Sequence, residues 1–99
     1  MRSTQIRLSA TALREADAIT RHLRQEAGSS VERRFALELE RTLDLLTTSP
    51  DIGRMTSRTH IHVLMLSRFP YHVIYRIVGP NELIVLRIRH AHRRPLTWL

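Results

Sequence analysis

The sequence predicts an α+β fold: a short edge strand, then an N-terminal helical hairpin packed on a small antiparallel β-sheet. In the first half of the chain, apolar residues recur at three- and four-residue steps, as in amphipathic helices. In the second half, runs rich in Val, Ile, Leu and Tyr alternate with short turn signals, as in strands. The chain has 99 residues, the length of one domain, so we expect residues 1–99 to form a single unit.

The first helix has clear start and stop signals. Residues 4–8 alternate weakly and predict the edge strand, and Ser9 follows as a helix N-cap. Gly28 stands where a helix end adopts the left-handed conformation. Between them, one helix face carries an apolar stripe of Ala12, Ala16, Ile19, Leu23 and Ala27.

The second helix is predicted to start at a capping box, with Ser29 as the cap and Glu32 three residues later. Pro50 ends it. Because only a few residues separate the helices, we expect an antiparallel hairpin. The apolar face of the second helix comprises Val31, Phe35, Leu39, Leu43 and Leu46.

Three strands are predicted, at residues 60–67, 71–78 and 83–90, with turns at 68–70 and 79–81. Connections this short require an antiparallel meander. The most consistent register directs one face of the last hairpin toward the helices: Tyr71, Val73, Tyr75, Ile77, Ile84, Leu86 and Ile88. The opposite face then carries His72, Ile74, Arg76, Val85, Arg87 and Arg89, a mixed basic and apolar surface that suits coverage by a partner.

The charge distribution predicts an acidic partner or a polyanion. The formal net charge is +7, from 16 basic residues that are all arginine and 9 acidic residues. Residues 54–99 carry eight Arg and five His against a single acid, Glu82. Guanidinium groups pair in a planar fork with carboxylates and phosphates.

Several classes of site are excluded or disfavoured. The chain has no cysteine, so it has neither disulfides nor thiol catalysis, and three glycines do not make a phosphate-binding loop. His60 with His62, and His90 with His92, are possible metal pairs, but no carboxylate or thiol stands nearby and a meander holds the pairs about 25 Å apart. We therefore expect no metal and no cofactor. Without a signal sequence or an apolar run of membrane-spanning length, we expect a cytoplasmic protein.

Two interpretations of the basic residues remain open. His72 and His90 suit a general acid and base for metal-free phosphodiester cleavage, with Arg76, Arg87, Arg89 or Arg93 stabilising the transition state. The same groups equally suit anion or protein binding without catalysis. The tail, residues 90–98, is basic and ends on Trp98, which either anchors the terminus or serves recognition.

Three segments carry a resemblance to a known family. They are Pro-Asp-Ile-Gly-Arg at 50–54, Arg-Phe-Pro-Tyr-His-Val-Ile-Tyr-Arg at 68–76, and Ile-Val-Leu-Arg-Ile-Arg-His at 84–90. In this order after a helical hairpin, they resemble the RelE/ParE toxins of bacterial type II toxin–antitoxin systems, over nearly the whole chain. The closing pattern His90, Arg93, Pro95 and Trp98 is similar to the ParE branch in particular.

The resemblance implies a function. ParE-like toxins block DNA gyrase without known catalytic residues, and RelE-like toxins cut mRNA on the ribosome. RelE-like members usually have Arg where this chain has His72 and a late Tyr where it has Trp98, so the ParE branch is favoured. The nuclease alternative would use His72, Arg87, His90 and Arg93. A third alternative is a non-toxic basic module that binds nucleic acid.

Either toxin branch implies an antitoxin with a flexible, often acidic tail that wraps the toxin. We expect the late cationic residues and their apolar neighbours to contact the antitoxin or the target. The expected contact residues are His72, Ile74, Arg76, Val85, Arg87, Arg89, Arg93, Arg94 and Trp98.

Overall fold

The computed structural model describes residues 3–93 and has the predicted α+β architecture. The elements in chain order are β1 Gln5–Leu8, α1 Ala10–Ala27, α2 Ser29–Thr48, β2 Arg54–Met55, β3 Ile61–Met65, β4 Tyr71–Gly79 and β5 Glu82–His90. They form a helical hairpin on a five-stranded sheet of order β1-β5-β4-β3-β2. No helix among residues 3–93 is long and apolar enough to span a membrane.

The sheet is mixed, which corrects the expectation of an antiparallel sheet. The meander β3–β4–β5 is antiparallel as predicted, and β2 adds to it antiparallel. The predicted edge strand β1, however, pairs in parallel with β5, from Gln5↔Glu82 to Leu8↔Val85. Parallel neighbours need a long connection, and here the helical hairpin and three strands lie between the paired segments.

The helix ends agree with the sequence at α1 and differ at α2. Ser9 caps α1 as predicted, and its Oγ accepts a hydrogen bond from the Ala12 N–H. The predicted capping box is wrong because Ser29 already lies inside α2 and Gly28, with φ 94°, is the single residue between the helices. The Gly28 N–H donates to the Arg24 carbonyl and its own carbonyl accepts from Glu32 N–H, so one glycine caps both helices.

The core lies between the helices and one face of the sheet. Phe35 of α2 is fully buried at its centre, with edge-to-face ring contacts to Phe69 and Tyr71 at centroid distances of 5.4 and 5.5 Å. The predicted helix stripes supply much of this core, which agrees with the amphipathic patterns. The buried members are Ala12, Ile19, Phe35, Leu46, Leu66, Tyr71, Val73, Tyr75, Leu83, Val85 and Ile88.

A β-bulge in β5 changes the predicted faces of the last hairpin. Ile74 pairs with Arg87, but the next residue of β4, Tyr75, pairs with Val85, so Leu86 is the extra residue. A bulge reverses the facing of all positions on one side of it. Leu83 and Val85 therefore belong to the helix-side core, where Ile84 and Leu86 were expected.

The short strand β2, which the sequence did not predict, follows a loop anchored in the core. The Gly53 N–H donates to Tyr75 Oη at 2.9 Å, and the Gly53 carbonyl lies 2.9 Å from His62 Nδ1. The rings of His62 and Tyr75 stack at 5.3 Å. These contacts hold Arg54, the first residue of β2, beside Val63 of β3.

We predict that Gly53→Ala lowers the free energy of unfolding by about 1–2 kcal/mol, because overpacking at a buried site forces neighbours to move. A Cβ at Gly53 would lie 2.7 Å from Tyr75 Oη. Gly79→Ala is the matched control, since its Cβ would have no neighbour within 4 Å. Urea denaturation of both variants measures the difference, and equal stabilities would contradict this packing.

Candidate functional site

The sheet face opposite the helices is the strongest candidate for the functional surface. A second apolar cluster lies on it, formed by Ile61, Val63, Ile74 and Leu86. The strand pairings place Arg54, His72, Arg76 and Arg89 on the same face around this cluster. We call these four residues the basic sheet face. Each stands where alternation along its strand directs it away from the helices.

His72 lies at the centre of this cationic group. It pairs with Met65 on β3 and with Arg89 on β5. Partial burial, and then the positive charge of Arg54, lower the pKa of His72 from the ordinary histidine value. His72 therefore stays neutral at a pH where a solvated histidine is already partly protonated.

We predict that an NMR titration of His72 has its midpoint below about 6.5, the ordinary histidine value. Arg54→Gln should raise the midpoint by removing the second cause, while Arg33→Gln on the exposed part of α2 should not. The pKa is lower in the folded state, so the unfolded chain binds more protons in this range. His72 should therefore make folding less stable as the pH falls through the ordinary histidine range. A midpoint above 6.5 would contradict the placement of His72.

Arg87 is held by an acid from α1 and is not a free cation of this face. Its Nε and Nη2 donate to both carboxylate oxygens of Glu15, with the shortest N–O distance at 2.6 Å. Glu15 Oε1 also accepts the Ile88 N–H at 2.9 Å. The carboxylate raises the pKa of Arg87, first through the hydrogen bond. Sequence reasoning missed this pair because 72 positions separate its members.

The Glu15 contact continues the sheet where β1 stops. The last β1 pairing is Leu8↔Val85, after which Ser9 N–H donates to the Val85 carbonyl and Ser9 Oγ to the Leu86 carbonyl. The chain then turns into α1, so the Ile88 N–H on this edge of β5 donates to the Glu15 side chain and not to a neighbouring strand. Unpaired strand edges normally need such cover.

Arg89 has its pKa lowered by burial, and then by the nearby charges of Arg87 and Arg93. Cations therefore crowd this end of β5. Such crowding favours an anionic partner, because an added negative charge relieves the mutual repulsion.

His90 lies on the other side of the sheet from His72. The register pairs His90 with Tyr71, whose side chain belongs to the helix-side core, and pairs His72 with Arg89 one position along. The His90 ring contacts the Tyr71 ring at 5.1 Å, edge to face. Directly paired residues share a face and the next pair takes the opposite one. The proposed acid–base pair therefore does not converge.

The histidine pairs considered for metal binding have other surroundings. His60 has a positive φ of 64° and precedes β3, while His62 is buried against Gly53. The rings of His90 and His92 lie 5.2 Å apart in β5 and the turn after it. Among residues 3–93, no three potential ligands form a metal-binding group.

The other expected contact residues fall into four groups. The predicted placement of Val85 on the outer face is wrong, since the bulge turns it into the helix-side core, where it has no exposed surface. Ile74 lies on the expected face but is 2% exposed, so it packs within the apolar cluster of that face and offers little surface to a partner. Arg76 and Arg93 are exposed as expected. Arg94 and Trp98 lie outside the described residues. Arg54 was not among the predicted contacts, although it ends the segment at 50–54 that was singled out.

Comparison with solved structures finds the same fold in proteins of toxin–antitoxin systems. A chain of the chromosomal ParDE toxin–antitoxin system from P. aeruginosa matches with a TM-score of 0.78 and 21% identity, covering 91% of this chain and 98% of that one. The isolated E. coli RelE toxin matches with a TM-score of 0.64 and 18% identity, and the match covers 93% of this chain and 88% of that one. A chain of the intact E. coli RelBE toxin–antitoxin complex also matches with a TM-score of 0.64 and 18% identity, and the match covers 92% of this chain and 100% of that one.

Sequence comparison assigns the family. A comparison with curated proteins gives no match. The model of the family described as ParE toxin of type II toxin–antitoxin system, parDE, matches residues 6–95. This match spans nearly all of the α+β fold described above, from β1 to beyond β5. The chain therefore belongs to the ParE toxin family of type II toxin–antitoxin systems.

Proposed function

We propose that this toxin arrests growth by inhibiting DNA gyrase, acts in the cytoplasm as one domain spanning residues 1–99, and is neutralised by a cognate antitoxin with an acidic tail. One observation carries the choice of an inhibitor over a nuclease: His72 and His90, the histidines available for acid–base catalysis, lie on opposite faces of the sheet. A general acid and a general base must both lie within hydrogen-bond reach of the same substrate.

The arginines support the same conclusion. Stabilising a phosphorane-like transition state needs cations aimed at the developing charge. Arg87 of β5 already has both carboxylate oxygens of Glu15 as partners. Using it on a phosphate would require breaking a partly buried ion pair, which is costly. The arginines of the basic sheet face suit binding.

A ribosome-dependent endoribonuclease is the second candidate. The lowered pKa of His72 favours it, because a neutral imidazole amid arginines is a suitable base near neutral pH. Such an enzyme would use His72 as base without help from His90. A non-toxic module that binds nucleic acid is the third candidate, favoured by the cation density of the basic sheet face alone.

The basic sheet face also supports an acidic partner. The chain carries a net charge of +7, and Arg54, Arg76 and Arg89 lie on one face of the sheet. An acidic antitoxin tail is the natural counterpart, since charge complementarity speeds association and selects the partner.

Expression in bacteria tests this proposal. The chain alone should stop growth, and co-expression of the adjacent gene's product should restore it. Arrested cells should contain relaxed plasmid and intact mRNA. Harmless expression of soluble, folded protein would contradict the toxin function, and rapid mRNA cleavage would favour the nuclease.

We predict that His72→Ala and His90→Ala, separately and together, leave growth arrest within about threefold of the unchanged chain, because neither imidazole performs chemistry in an inhibitor. His22→Ala on exposed α1 serves as the control for histidine removal. Circular dichroism checks the fold of each variant. A folded His72→Ala protein that has lost all toxicity would favour catalysis.

A further inference from the structure

A groove on the helix side of the molecule, away from the basic sheet face, is not part of the site described above. It lies between α2 and the turn that joins β3 to β4, and its volume is about 560 Å³. Leu37 and Leu45 line it with 46% and 43% of their surfaces exposed, and Phe69 lines the turn side. The two leucines are eight residues apart, or about 12 Å along a helix. The groove therefore presents apolar contacts about two helical turns apart, a spacing that suits an amphipathic partner segment.

Cations lie between and beside these apolar residues. Arg34 and Arg41, two turns apart on α2, and Arg68 on the turn line the same groove. Within residues 3–93 none of the three forms an ion pair, whereas Arg21 and Arg24 of α1 pair with Asp17 and Glu32. Uncompensated guanidinium groups beside exposed leucines are the surface that a segment of alternating acidic and apolar residues complements.

Glu38 fixes the shape of the groove and leaves one polar atom unused. Its Oε1 accepts hydrogen bonds from Ser67 Oγ and, at 2.8 Å, from the Arg68 N–H, which ties the turn to α2. Its Oε2 is buried and has no hydrogen-bond partner among the described residues. Buried polar atoms normally have a partner, so an N–H or O–H donor seated in the groove would complete this carboxylate.

We propose that this groove docks an acidic amphipathic segment of the antitoxin, with apolar side chains on Leu37, Leu45 and Phe69 and carboxylates against Arg34, Arg41 and Arg68. A second copy of this chain is a poor occupant, because its net charge of +7 would be repelled by the three arginines that line the groove. The proposal rests on the antitoxin partnership proposed above and adds a second docking surface to the basic sheet face.

The test reverses the charges of Arg34 and Arg41 and measures antitoxin binding. Purified Arg34→Glu/Arg41→Glu toxin is titrated calorimetrically with the purified product of the adjacent gene. Binding should weaken at least about tenfold, because like charges placed across an interface are strongly unfavourable. Arg14→Glu/Arg33→Glu makes the same charge change at exposed positions outside the groove. Its affinity for the antitoxin should stay within about threefold of that of the unchanged chain. Leu37→Ser probes the apolar contacts of the groove without changing charge and should also weaken binding.

Growth separates this inference from the proposed function. The groove variant should still arrest growth when expressed alone, but the antitoxin should no longer restore growth fully. Binding as tight as that of the unchanged chain would overturn the inference, even if gyrase inhibition is confirmed. Lost toxicity with unchanged antitoxin binding would also overturn it, because the groove would then serve the target. If gyrase is not the target, the binding measurement still decides on the groove.

Discussion

Replacing Glu15 by alanine is expected to lower the free energy of unfolding by about 2–4 kcal/mol. Removing one member of a buried ion pair costs about 3–5 kcal/mol, and here the side chains of Glu15 and Arg87 keep 16% and 26% of their exposure, which reduces the cost. The variant also leaves the Ile88 N–H without its acceptor at the point where β1 stops. For a chain of this size, we expect a fall in Tm of roughly 8–30 °C.

Two further variants identify the cause. Asp17→Ala removes the exposed Asp17–Arg21 pair of α1 and should cost less than about 1 kcal/mol, as surface pairs do. Glu15→Gln keeps an acceptor for the Ile88 N–H but removes the charge. Its loss of unfolding free energy should therefore lie between those of Glu15→Ala and Asp17→Ala. Thermal unfolding followed by circular dichroism measures all three. Equal effects of Glu15→Ala and Asp17→Ala would show that the Glu15 contact does not hold the sheet edge.

Replacing Phe35 by alanine is expected to cost about 3–5 kcal/mol, the range for deleting a buried phenylalanine. Phe35 has no exposed surface and joins α2 to the sheet through Phe69 and Tyr71. A domain of this kind has a total stability of about 5–15 kcal/mol, so the variant should unfold at much lower urea concentration.

Leu13→Ala is the matched control for Phe35→Ala, because Leu13 is 56% exposed on α1. It should change stability by less than about 0.5 kcal/mol, as exposed substitutions usually do. If the two variants unfolded at the same urea concentration, α2 would not pack on the sheet through Phe35.

Local signals were enough to predict most of the fold. The Ser9 cap, Gly28 and the apolar stripes defined the two helices, and the short turns required an antiparallel meander. These features depend on residues close together in the chain, where spacing and turn chemistry carry the information. The basic face of the last hairpin followed from alternation, and His72, Arg76 and Arg89 do share it.

Features that depend on distant contacts were not predictable in this way. Nothing local to Leu86 indicates a bulge, yet the bulge moves Val85 into the core and Leu86 out of it. The parallel pairing of β1 with β5 and the Glu15–Arg87 pair join segments more than 70 residues apart. The separation of His72 from His90, by contrast, agrees with the predicted faces, because His90 pairs with Tyr71 and shares its side of the sheet.

The Glu15 contact and the strand register both bear on the function. The Glu15 contact takes Arg87 away from the basic sheet face, and the register separates the two histidines. What remains on that face is a set of arginines around a covered apolar cluster. Such a surface suits an anionic partner, which supports the proposal of a toxin that acts by inhibition.

A supercoiling assay with purified components tests the central claim most directly. Gyrase, relaxed plasmid and ATP are incubated with increasing toxin, with and without the antitoxin, while a parallel reaction contains ribosomes and mRNA. We predict that the toxin leaves the plasmid relaxed, that the antitoxin restores supercoiling, and that the mRNA stays intact. Full supercoiling at every toxin concentration, with mRNA cut only when ribosomes are present, would contradict the claim.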